Sequence, residues 1–105
     1  MKEIKRYGMK IYGGPQGSGR GKRASIFLFD KDNRGIGTID FWEEGIKLPA
    51  DQLSESLGVQ FSLYITRMDD VVDMLRNEKP VFIAWQESLK NAYIGTSTEP
   101  VGEGE

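Results

Sequence analysis

The chain has 105 residues, a formal charge of -2, and neither cysteine nor histidine. The length suits one ordinary domain, and the two missing residue types exclude thiol nucleophiles, disulfides, thiolate zinc sites and His-based acid–base catalysis. The small net charge hides a split: residues 1–23 carry seven cations against Glu3 alone, or +6, and the remaining residues carry -8.

Along the chain, Lys5–Tyr12 alternates like a short strand, with Tyr7, Met9 and Ile11 on one side. Residues 13–23, GGPQGSGRGKR, hold five glycines, one proline and no apolar side chain, and read as a basic loop. Ala24–Asp30 is a strand. Asp30–Gly35 is a turn in which Asp and Asn bond back to the backbone and Gly35 takes positive φ. Ile36–Trp42 returns, so residues 24–42 form a hairpin. Ile39 and Phe41 share one face of it, and Thr38, Asp40 and Trp42 the other.

Gly45–Leu48 reads as a short edge segment, and residues 49–58 as a connection with one helical turn at 50–56. Val59, Phe61, Leu63 and Ile65 alternate with Gln60, Ser62 and Tyr64, the pattern of a half-buried strand. In Arg67–Glu78, Met68, Val71, Val72 and Leu75 form a single apolar helical stripe. Thr66 is the expected N-cap, and Asp69 and Asp70 complement the helix dipole. Pro80 stops the helix. Val81–Gln86 is nearly continuously apolar and reads as a central strand, and Ala92–Thr96 is a final one. Residues 98–105 read as a disordered acidic tail, leaving 1–97 as a single domain.

These elements predict an α+β fold: one antiparallel sheet of about five to six strands with one amphipathic helix, about 67–78, packed on one face. The single stripe lets the helix cover only one side of the sheet. No apolar run suggests a secretory leader or a membrane span, so a cytoplasmic protein without membrane association is expected.

Several motifs can be set aside. The glycine-rich loop fails as a phosphate loop, because residue 16 is Gln, residue 23 is Arg, and a strand follows. The turn at Asp30–Gly35 fails as a calcium loop, with Arg34 and Phe41 where oxygen ligands belong. Neighbouring helix positions diverge by ~100°, so Asp69 and Asp70 do not converge; Glu43–Glu44 reads as turn solvation. No catalytic residue, metal or cofactor is expected, and the chain reads as a non-enzymatic interaction module.

Two surfaces remain. Trp42, Tyr64 and Tyr93 are expected on the helix-free sheet face, where they would meet a second copy or a protein partner. Alternatively, Arg20, Lys22 and Arg23 contact the phosphates of single-stranded RNA or DNA while sheet aromatics stack on its bases. From sequence the first reading ranks higher, because the acidic body and a pI of 5.2 oppose a polyanion.

Overall fold

The computed structural model describes residues 1–14, 21–98 and 101. Arg20 lies outside them, and so does the expected tail apart from Thr98 and Val101. The order is β1 (Lys2–Ile4), β2 (Arg6–Ile11), β3 (Lys22–Phe29), β4 (Gly35–Trp42), β5 (Gln52–Ser54), β6 (Gly58–Tyr64), α1 (Met68–Asn77), β7 (Val81–Gln86) and β8 (Asn91–Thr96).

The fold is α+β with mostly antiparallel pairing and one short helix, but its strands divide between two sheets. One has five strands in the order β2-β3-β4-β6-β5, and the other three in the order β1-β7-β8. The expected single sheet of five to six strands is therefore corrected. Two features caused the difference. Val81–Gln86 is central, as its apolar run suggested, but in its own sheet, flanked by β1 and β8. And β4 pairs with β6 in parallel, Ile39 opposite Phe61 and Trp42 opposite Tyr64.

The pleat sorts the residues of the larger sheet. Ala24, Ile26 and Leu28 of β3 and Ile39 and Phe41 of β4 are fully buried. Val59 and Phe61 continue this inner face on β6. The smaller sheet lies against it through Val81 and Ile83. The contact is closest at Gly37, where a Cβ would stand 2.6 Å from Ile83 Cδ1 and 2.9 Å from the Val59 carbonyl oxygen. The helix completes the core. Val71 is buried in it, and Met68, Val72 and Leu75, the rest of the stripe read from sequence, pack against it together with Met74.

Local details also changed. A 3-10 turn, Ile65–Arg67, precedes α1, and the N-cap is Arg67, with no side-chain cap bond from Thr66 or any other residue. In the β3–β4 turn Asn33, not Gly35, takes positive φ (62°). Residues 52–54 form β5, paired with β6, in place of a helical turn. Residues 45–48 form no strand.

Candidate functional site

With the helix and the smaller sheet both on the inner side, the outer face of the five-stranded sheet carries the opposite set of side chains. Register places Arg6 opposite Phe29, Gly8 opposite Phe27 and Lys10 opposite Ser25 between β2 and β3. Between β3 and β4 it places Ser25 opposite Asp40 and Phe27 opposite Thr38, and Ser62 and Tyr64 of β6 continue the rows.

A bulge between Lys22 and Ala24 breaks the strict alternation of β3. Without it, Lys22 would share the inner parity of Ala24. With it, Lys22 pairs with Trp42, and its Nζ lies 5.5 Å from the centre of the Trp42 ring. Lys10 repeats the arrangement over Phe27, at 5.7 Å. Both rings thus carry an ammonium over their electron-rich face, and the lysine stems cover apolar surface.

A polar chain joins these groups. Ser25 is only 2% exposed, and its hydroxyl donates to Asp40 Oδ1 at 2.7 Å. Asp40 Oδ2 lies 3.7 Å from Lys22 Nζ, and Trp42 Nε1 donates to Ser62 Oγ at 3.0 Å. The indole is therefore anchored across the β4–β6 boundary. Tyr64 beside it donates its hydroxyl to the Ile46 carbonyl at 2.8 Å. That bond ties down the segment joining β4 to β5, which also donates from Glu43 N–H to the Gly21 carbonyl at 2.9 Å. Arg23 donates to the Gly14 carbonyl at 3.2 Å and lies 3.7 Å from Glu43.

The structure thus brings together Trp42, Tyr64 and Lys22, while Arg23 reaches toward Gly14 and Glu43 at the start of β3. Tyr93 does not join them. It stands on β8 of the smaller sheet, opposite Ala84 and on the side away from Ile83 and Ile94. Arg20 lies outside the described residues. Lys10 and Phe27 were missed from sequence, although the signal was present. Lys10 alternates with Met9 and Ile11, and Phe27 sits between Ile26 and Leu28, so both had outward parity.

Acid–base machinery is not assembled elsewhere among the described residues. Asp69 and Asp70 are exposed on α1, and Asp70 accepts from Arg67 at 3.0 Å. No group of three or more metal-ligating side chains converges among the described residues. A hollow of about 500 Å³ between β1, β2 and the end of α1 is lined by Lys5, Arg6, Arg76 and Lys79 together with Glu3 and Glu78. No helix among the described residues is long and apolar enough to cross a membrane. No family model, curated protein sequence or solved structure matches this chain.

Proposed function

We propose that the outer face of the five-stranded sheet binds single-stranded nucleic acid. The observation that carries this reading is the pairing of cation with ring: Lys22 over Trp42 and Lys10 over Phe27. A base that stacks on either ring displaces the ammonium sideways, to where the phosphate of the same nucleotide runs. Stacking contributes ~1–3 kcal/mol per base and tolerates any sequence. Arg6 and Arg23 extend the cationic surface along β2 and the start of β3.

The objection raised by the acidic composition weakens once the acids are placed. Asp69, Asp70 and Asp73 are exposed on α1, on the far side of the core from this face. Asp40 and Glu43 are the acids beside this face; Asp40 is held by Lys22 and Ser25, and Glu43 lies 3.7 Å from Arg23.

A protein contact through the same face, which ranked first from sequence, draws less support. Its rings are half-buried under lysines. The well-exposed apolar side chains, such as Met9, Ile11 and Leu53, lie at sheet edges instead. Two copies stacked on this face would also oppose their cations.

The test is titration of a labelled single-stranded oligonucleotide at several salt concentrations. Affinity should fall linearly in log–log form, and Lys10→Ala, Lys22→Ala and Arg23→Ala should each lower the slope by roughly 0.7 per lost phosphate contact. In a Trp85→Phe background, which leaves Trp42 as the single indole, fluorescence should be quenched on binding. Absence of binding at low salt, or binding indifferent to all three substitutions, would overturn the reading.

A further inference from the structure

The open edge of β2 is a second surface, independent of the outer face. β2 is the terminal strand of the five-stranded sheet, and among the described residues its six positions pair only with β3. The Tyr12 N–H donates to the Arg23 carbonyl at 2.9 Å, which makes Tyr12 and Arg23 a hydrogen-bonded pair. By antiparallel alternation Lys10, Gly8 and Arg6 also turn their backbone groups toward β3. The N–H and C=O groups of Tyr7, Met9 and Ile11 are therefore aimed outward, as a ladder with one side made. The same three residues put their side chains on the inner face, beyond its cover: Met9 is 46% exposed and Ile11 74%.

We infer that a second copy of this chain pairs with this edge, β2 against β2 antiparallel, joining two five-stranded sheets into one. A two-fold axis perpendicular to the sheet pairs residues of like parity, so each register puts one residue opposite itself. Charge selects among the registers. With Gly8 on the axis, Arg6 of each copy faces Lys10 of the other. With Lys10 on the axis, the two lysines face each other. Like charges directly opposite destabilise a pair. With Met9 on the axis, Tyr7 faces Ile11, Gly8 faces Lys10 and Arg6 faces Tyr12. In this register no charges oppose directly. The outward backbone groups all find partners, and Tyr7, Met9 and Ile11 from both copies form one apolar row. The Lys10 side chains become diagonal neighbours at ~7–8 Å rather than a directly opposed pair. The bare edge left by a monomer is the kind of template that strands otherwise satisfy by pairing.

The full chain is examined by analytical ultracentrifugation and light scattering up to high micromolar concentration. The expected result is twice the mass of one chain. Met9→Lys, which places two ammonium groups on the axis, should weaken the dimer by about tenfold or more. Leu53→Lys on the β5 edge should leave it unchanged. Because the chain has no cysteine, Met9→Cys gives a direct reading of register. The hydrogen-bonded axial pair brings the two Cα atoms to ~5.5 Å, within disulfide reach, so mild oxidation should link the copies, whereas Leu89→Cys should not link. Circular dichroism confirms that each variant folds, and Ile11→Lys replaces Met9→Lys if that one does not. A monomer throughout, or a dimer that neither weakens with the lysine variant nor links through position 9, would overturn the inference.

Discussion

Gly58 begins β6 with φ at 73°, and a Cβ there would run into the backbone carbonyl of Ile36. Ile36 is the extra residue of the bulge at the far end of β4, so the two irregularities fit together and neither side has room to move. Gly58→Ala should cost more than ~1 kcal/mol, since left-handed backbone and a backbone collision add. Denaturant unfolding should show a lower midpoint with an unchanged slope. Asp40 makes a different residue-scale case. Its carboxylate occupies Lys22 inside the outer face, so Asp40→Asn should release that lysine and tighten oligonucleotide binding severalfold at low salt. Weaker binding by this variant would contradict the proposed site.

Asp30 supplies a pH dependence. Its carboxylate accepts the backbone N–H groups of Arg34 and Asp32, each at 2.9 Å. The bond from Arg34 is the main cause that holds its pKa below the ordinary 3.8. A carboxyl whose pKa is lowered on folding stabilises the folded state above its ordinary pKa, and that contribution disappears as the pH falls through the lowered value. Asp30→Ala should therefore melt earlier than the parent at neutral pH, with the gap closing in strong acid. A carboxyl titration by NMR should find Asp30 below 3.8.

Among the elements, β8 is held on one side only by β7. On the other side Asp51, just ahead of β5, accepts the Ala92 N–H at 2.8 Å. This bond adds a polar tie between the two sheets to the apolar packing of Ala92 and Ile94 on the shared core. Asp51→Ala removes the acceptor and should cost about 1–3 kcal/mol, with faster hydrogen exchange at Ala92 as its local sign. The helix, the β3–β4 hairpin, β6 and β7 were legible in the sequence because each has a period or a run long enough to register. Lys2–Ile4 and Gln52–Ser54 were not. Each is only three residues long and has no period of its own, so it becomes a strand only because a longer neighbour offers a ladder. The bulge at Lys22 was equally invisible, and it is what brings that lysine over Trp42.

Across the molecule the two signs of charge mix on both sides, since Arg67 and Arg76 are exposed beside the aspartates of α1, and Asp40 and Glu43 pair with Lys22 and Arg23. The lysines and arginines of β2 and β3 look out from one face, while Asp69, Asp70 and Asp73 are exposed on α1 across the core. Asp69→Asn with Asp70→Asn should therefore change oligonucleotide affinity far less than Lys10→Ala, compared at equal ionic strength, because distant charges are screened within ~10 Å at 0.1 M salt. The amino-acid sequence alone determined the class of chemistry open to this protein, the α+β content, the apolar stripe of α1 and the two parities of each long strand. These follow from residue type and local period. Tertiary structure decided that the strands form two sheets, that β4 and β6 run parallel, and that Trp42 and Tyr64 stand together while Tyr93 stands apart. Those outcomes depend on pairing between segments far apart in the chain, where the identity of a partner strand is set by the whole core and leaves no local trace.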